Sequence, residues 1–267
     1  MKAPLKIGLA GLGAVNREVA KRLLAGIPGL ALSAISVRDV AKARKTVTGE
    51  SIPVLDAEKL AERCDVIVEG LPPQEFRAFA SPAIERGRIF VPLSVGKLLE
   101  NWDLVGRARE TGARILVPTG ALLGLDAVRA AAEGSIHSVK MVTRKPPEGL
   151  EGAVYLKERN LSVIGLKEPL KVFDGSAREG ARGFPANVNV AAALSLAGIG
   201  PDKTQLEIWA DPTVQRNTHR IDVDADTVRF SMTIENIPSE NPRTGRVVAL
   251  SVVAQLRGLV SELKVGT

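Results

Sequence analysis

The stretch LKIGLAGLGAVNREVAKRLLAG, residues 5–26, constrains the fold of this 267-residue chain more than any other. A short apolar run passes through two closely spaced glycines into apolar residues at helical spacing. Strand, tight turn and amphipathic helix is the arrangement that satisfies both periods. The pattern then repeats. Strand candidates ALSAISV, IPVL, DVIVEG, IFVPLSV and ARILVP alternate with the helical stretches AEKLAERC, PQEFRAFASPAIERG and DLVGRARETG. Such alternation predicts βαβ units and an α/β domain with a doubly wound parallel sheet over residues 1–118.

The glycine turn reads GLGAVN. Gly11 permits a tight turn, Gly13 lets the backbone approach a pyrophosphate, and the following helix offers its N-terminus to the charge. Gly11, Gly13, Ala14 and Val15 are therefore candidate contacts for a dinucleotide. Asn16 replaces the third glycine of a G-x-G-x-x-G fingerprint. That position governs helix–strand packing rather than phosphate contact, so Asn16 is a tolerable departure whose expected effect is a slight opening of the turn, with cofactor affinity the property it puts in question. The alternative is a plain glycine-rich βα loop; the setting between strand and helix favours cofactor binding.

The second strand ends in ISVRDVAK. Val37 stands where an acid would hold the ribose 2′-hydroxyl, with Ser36 and Arg38 beside it. Arg38 is either a bidentate partner for a 2′-phosphate or an exposed loop arginine. The expected cofactor is NAD or NADP.

Beyond residue 118 the texture changes. GLDAVRAAAEG reads as a helix ended by glycine, IHSVKMVTRK as a strand, PPEGLEG as a loop, and FPANVNVAAALSLAGIG as an alanine-rich helix opened by Asn. TQLEIWADP, THRIDVDA and TVRFSMTIENIP follow as strands. In the last, Val228, Phe230, Met232 and Ile234 alternate with Arg229, Ser231, Thr233 and Glu235, which predicts a sheet with one covered and one open face. GRVVALSVVAQLRGLVSEL returns to helical periodicity. The expected division is residues 1–118, a second α/β mixed-sheet domain over 119–242, and a C-terminal helix over 243–267 that returns to the first domain.

Composition narrows the function classes. Aromatics are 3% of the chain, too few for a single-strand nucleic-acid surface built on stacking. The net charge of +6 is spread among acids, with no run of five like charges, so an anionic metabolite or phosphate-bearing cofactor is a better partner than nucleic acid. No apolar run reaches membrane-spanning length and no signal peptide is evident, so a cytoplasmic protein is expected. The single cysteine, Cys64, cannot form an internal disulfide or a metal cluster, and no metal is expected.

One of the two histidines lies in RNTHRIDVD, residues 216–224. At a period of two, His219, Ile221 and Val223 face one way, while Thr218, Arg220, Asp222 and Asp224 face the other. His219 is thus in the apolar phase: a satisfied core histidine or a placed acid/base. His137 in SIHSV reads as a strand-face or surface residue.

Several stretches together resemble the L-aspartate dehydrogenase family: GLAGLGAV, VEGLPP, LSVGKL, VPTGALLGLDAVRAA, TRKPP, FDGSAREGARGFPANVNVAAALSLAGIG, ADPTVQRNTHRIDV and NPRTG. The resemblance implies a Rossmann-type domain joined to a smaller catalytic and dimerisation domain. It implies oxidation of L-aspartate by NAD or NADP to iminoaspartate, which hydrolyses to oxaloacetate or feeds NAD biosynthesis, in a homodimer. Carried over by position, the family's catalytic histidine falls on His219. Its cofactor-contacting alanine falls on Ala121 of TGA, with Thr119 in place of serine, and its cofactor-contacting asparagine on Asn189. A dicarboxylic amino acid needs a cationic partner, for which Lys145 is preferred over Arg144 in VTRKPP. Thr119, Asn187 and Thr218 are candidates for neutral hydrogen bonds to substrate. Two other readings remain: a related reductase of the dihydrodipicolinate or homoserine type, and a dinucleotide-sensing protein without catalysis.

Overall fold

The computed structural model describes residues 3–45, 47, 52–185, 188–237, 239 and 245–266. The chain divides into two compact units, one of Met1–Pro118 with Val248–Lys264 and one of Thr119–Val247 with Val265–Thr267.

The first unit runs β1 (Leu5–Ala10), α1 (Ala14–Leu24), β2 (Leu30–Ser36), α2 (Val40–Arg44), α3 (Ala57–Arg63), β3 (Val66–Glu69), α4 (Phe76–Glu85), β4 (Ile89–Pro92), α5 (Val95–Glu100), α6 (Asp103–Thr111) and β5 (Arg114–Ile115). Its five strands are parallel, in the order β2-β1-β3-β4-β5. The chain steps outward from β1 to β2, then returns to β1's other side as β3. That reversal makes a crevice at the carboxyl ends of β1 and β3, where doubly wound sheets bind ligands. Helices cover both faces, which is why all four residues of β3 are buried. At Gly8 an added Cβ would lie 2.9 Å from Cys64 Sγ and 3.0 Å from Leu60 Cδ1, so α3 and its end pack directly on β1. Cys64 is accordingly a core residue, its thiol pushed up to about 11 by burial.

Three strand expectations are corrected. IPVL supplies only a single bridging pair, Val54 with Ile35, outside β2. Pro53 has no N–H to extend the ladder. IFVPLSV stops as a strand at Pro92, and its last residue opens α5. ARILVP contributes only Arg114–Ile115.

The second unit runs α7 (Leu125–Ala132), β6 (Ile136–Lys145), α8 (Val154–Glu158), β7 (Leu170–Ser176), α9 (Ala177–Gly183), α10 (Asn189–Ala197), β8 (Gln205–Ala210), β9 (Asn217–Ala225) and β10 (Arg229–Asn236). Its mixed sheet has the order β10-β9-β6-β8-β7, with β6 and β8 parallel and the other pairs antiparallel. Residues 153–183, whose sequence shows no clean period, form α8, β7 and α9. A register shift between Lys171 and Phe173 explains the broken alternation of β7.

One face of this sheet is dry. Val139, Met141, Leu206, Ile208, Ile221 and Val223 are buried on it. A Cβ on Gly198, at the end of α10, would meet Val128 of α7 at 3.2 Å and Val139 of β6 at 3.5 Å, so both helices contribute to the cover. The other face carries ion pairs: Lys140 with Glu207 at 2.8 Å, Arg144 with Asp211 at 2.8 Å and Arg220 with Asp222 at 2.9 Å.

The last helix, α11 (Val247–Gly258), packs in the first unit. Val252, Val253 and Leu256 join a core with Leu23, Ile27, Leu30 and Leu32. Among the described residues no helix is long and apolar enough to cross a membrane.

Candidate active site

Two groups of candidate residues stand out, one in each unit. In the first, the turn after β1 is fixed by sterics. Gly11 has φ +83°, and a Cβ there would lie 2.7 Å from the Gly70 carbonyl oxygen. Only glycine fits. Gly13 is different, since the nearest atom to an added Cβ would be the Gly70 oxygen at 3.9 Å. The protein itself does not need glycine at Gly13, so the space beside its backbone is open to a group from outside. The helix α1 begins there with no capping side chain and no acid in its first turn. The amides of that turn, Ala14 and Val15 among them, are therefore available to an anion. These residues fit the pyrophosphate of a dinucleotide.

Asn16 does not open the turn, contrary to expectation. It is 1% exposed, and its Nδ2 donates to the carbonyls of Gly11 (2.9 Å), Ala10 (3.2 Å) and Val68 (3.3 Å). The side chain draws turn, β1 and β3 together.

At the end of β2, Ser36 is buried and accepts the Gly11 N–H through its carbonyl at 2.7 Å. Val37 is half-buried, and Arg38 is exposed and unpaired among the described residues. The nearby acid, Asp39, caps α2 by accepting the Lys42 N–H at 2.9 Å. At the end of β3, sequence reasoning passed over Glu69. It is fully buried, accepting from Leu71 N–H (2.9 Å), Ser94 hydroxyl (3.0 Å) and Ser94 N–H (3.1 Å). Burial pushes its carboxyl above the usual range, opposed by those donors. An acid inside the apolar run DVIVEG was the available signal.

In the second unit the register of β6 on β9 sets Thr143 opposite His219. Thr143 Oγ1 and His219 Nδ1 are hydrogen-bonded at 3.1 Å. His219 is 2% exposed and Lys145, two residues from Thr143 on the same face, is 3% exposed. Burial, and then the charge of Lys145, hold the imidazole down at about 3. His219 is thus neutral at pH 7, and its Nε2 has no partner among the described residues. Thr143 was not singled out in the sequence, although its phase in MVTRK matches that of the apolar positions.

Arg144 points to the open face, where it pairs with Asp211 and lies 4.7 Å from the Trp209 ring centroid. Thr218 is also on that face, register-paired with Arg144, and the structure does not bring it to His219. Successive strand residues face opposite sides, so Thr218, a candidate for a neutral hydrogen bond to substrate, stands on the face away from His219. His137 is exposed.

Ala121 is buried in a turn in which Leu122 N–H donates to the exposed Thr119 carbonyl at 3.1 Å. Its own carbonyl accepts from Nδ2 of buried Asn236 at 3.0 Å. Asn236, at the end of β10, is a second residue that sequence reasoning missed. Asn189 is half-buried as the first residue of α10, after Val188, which gives no side-chain cap. Asn187 lies outside the described residues.

Two family models match the chain. The family described as Aspartate dehydrogenase, C-terminal, matches residues 126–259. Residues 11–118 match the family Homoserine dehydrogenase, NAD binding domain. The chain is 56% identical to L-aspartate dehydrogenase of Bradyrhizobium diazoefficiens, over 98% of this chain and 94% of that one. It is 52% identical to L-aspartate dehydrogenase 3 of Bordetella bronchiseptica, over 98% of each. The crystal structure of aspartate dehydrogenase from Thermotoga maritima shares the fold, with a TM-score of 0.77 at 22% identity, covering 98% of this chain and 99% of that one. Matched along its whole length, with a dinucleotide turn in one unit and a buried histidine in the other, the chain belongs to the L-aspartate dehydrogenase family.

Proposed function

We propose that the chain oxidises L-aspartate with NAD or NADP, and that His219 is its acid/base. The neutral imidazole buried beside Lys145, in a chain 56% identical to an L-aspartate dehydrogenase, carries this reading. The cofactor supplies the hydride acceptor. The protein's part is to hold the substrate's carboxylates and to move a proton. Lys145 offers the cation that a dicarboxylic amino acid needs, with Thr119 and Asn187 as proposed neutral partners. Gly11, Gly13, Ala14, Val15, Ala121 and Asn189 are the proposed cofactor contacts. In the tautomer that donates Nδ1–H to Thr143 Oγ1, Nε2 carries the lone pair that takes a proton from the substrate's amine or from water. An imidazole at about 3 is a weak base. A substrate carboxylate set against Lys145 offsets the charge that helps depress it, so substrate arrival makes His219 more basic.

His219→Ala is expected to lower aspartate-dependent NAD(P)H formation by about a hundredfold or more, with little change in cofactor affinity. Near-wild-type turnover by the folded variant would sink the assignment, and an assay across Asp, Glu, Ala and homoserine separates aspartate from the reductase alternatives.

The depressed imidazole also predicts a pH dependence of stability. Its folded value, about 3, lies below its ordinary 6.5. Below pH 6.5 the unfolded chain takes up a proton that the folded chain refuses, so the contribution is complete above 6.5 and lost as pH falls towards 3. The loss is about 1.4 kcal/mol per pH unit in that window. Urea unfolding of wild type and His219→Gln at pH 7.5, 6 and 5 should show the shallower slope in the variant. Parallel slopes would mean that His219 titrates normally.

Arg38 is proposed as the 2′-phosphate partner. Arg38→Ala should weaken NADP binding by about tenfold while NAD is nearly indifferent. Equal losses for the two cofactors would assign Arg38 to shaping the loop instead.

Two copies are proposed to pair as a twofold dimer through the second unit's sheet, in which one face is left uncovered by this unit's helices. Sedimentation equilibrium at micromolar concentration should give twice the chain mass; a monomer would refute the pairing.

A further inference from the structure

The crevice between β1 and β3 is built round a side chain that a dinucleotide fingerprint does not require. We propose that Asn16 is a positioning residue for the phosphate turn, its amide clamping the carbonyls of Ala10, Gly11 and Val68 so that the Gly11–Val15 backbone is set to receive the pyrophosphate.

In a G-x-G-x-x-G turn the third glycine lets the helix approach the strand with no side chain between them. Here the arrangement is reversed. The bulk is on the helix and the space is on the strand side, where a Cβ on Gly70 would lie 2.9 Å from Asn16 Nδ2 and 3.2 Å from its Cγ. Asn16 and Gly70 are therefore a matched pair. The glycine absent from the fingerprint is present across the crevice.

The shortest of the three bonds, 2.9 Å, goes to the Gly11 carbonyl, inside the turn itself. The peptide joining Gly11 to Leu12 is planar and trans. Its C=O and N–H therefore point in opposite directions, and drawing the oxygen in to Asn16 drives the Leu12 N–H the other way. Further ties complete the hold. Gly11 N–H donates to Ser36 at 2.7 Å, and Gly70 N–H donates to the Ala10 carbonyl at 2.9 Å. Asn16 is the only side chain among these ties.

The other end of the amide distinguishes clamping from filling. Asn16 Oδ1 is buried with no hydrogen-bond partner in the structure. A buried unpaired acceptor is unfavourable, and an apolar residue of similar size would fill the space without it. What the amide supplies is its donor group, which faces three carbonyl oxygens.

The inference rests on the dinucleotide reading, and the test separates the two. ADP-ribose binding to the full-length protein is measured by calorimetry for wild type, Asn16→Ala and Gly70→Ala, alongside thermal midpoints and steady-state kinetics. Gly70→Ala pushes the amide off its carbonyls without altering α1, and so decides the matter should Asn16→Ala fail to fold. Both variants are expected to bind ADP-ribose about tenfold more weakly, with the KM for NAD(P) raised in parallel and kcat and the KM for aspartate unchanged. ADP-ribose affinity equal to wild type in the folded variants overturns the clamp, whatever the midpoint does. So does a fall in kcat that matches the fall in affinity, which would mark a general loss of structure. A wild-type chain that binds no ADP-ribose would overturn both the clamp and the dinucleotide reading.

Discussion

The antiparallel pairing of β6 with β9 decides which side chains in the second unit share an environment. It puts Thr143 opposite His219 and Arg144 opposite Thr218. Because the side-chain period of a strand is two, these pairs lie on opposite faces. A slip of one residue would exchange them, bringing Arg144 and Thr218 into the dry face and sending the histidine out to solvent. The slip is opposed by the whole apolar set on the same strands, Val139 and Met141 on one and Ile221 and Val223 on the other. Ordinary core packing therefore aligns the chemical groups, and no separate device is needed.

That face holds an unusual electrostatic arrangement, a lysine and an imidazole buried together. Burial, and then the charge of the lysine, disfavour charge on the imidazole. The neutral imidazole is the form that accepts a proton, and the lysine the group that would welcome an anion. On the opposite face, arginines and lysines of the same strands are matched with acids at 2.8–2.9 Å. Two kinds of cation thus lie one residue apart in the chain, Arg144 bound to Asp211 in partial contact with water and Lys145 shielded from it.

Much of this was legible in the sequence, for physical reasons that differ from element to element. The turn at Gly11 and the alternation in THRIDVDA were readable because each is a local rule, a positive φ in one case and a period of two in the other. The reduction of IPVL to one bridging pair was not readable from its apolar character, because an edge strand's length depends on what pairs with it. The dry-face position of His219 followed from its phase, but its partner Thr143 lies far along the chain, and only the register joins them. Asn16 was misread in its effect. It departs from a local pattern, and its compensation, Gly70, is distant in sequence and adjacent in space.

The return of α11 to the first unit has a consequence for how the chain comes into being. Val252, Val253 and Leu256 belong to the same core as Leu23, Ile27, Leu30 and Leu32, yet more than two hundred residues separate them. During synthesis the N-terminal sheet emerges early but waits for this helix until the whole second unit's sheet has been made. The helices and strands of the second unit, from α7 to β10, follow one another without interruption and have no such delay. Domains that fold as units tend to do so as they emerge. In this chain the order inverts: the later-encoded unit can complete its core before the earlier one, and the nascent cofactor domain spends translation with part of its apolar surface uncovered.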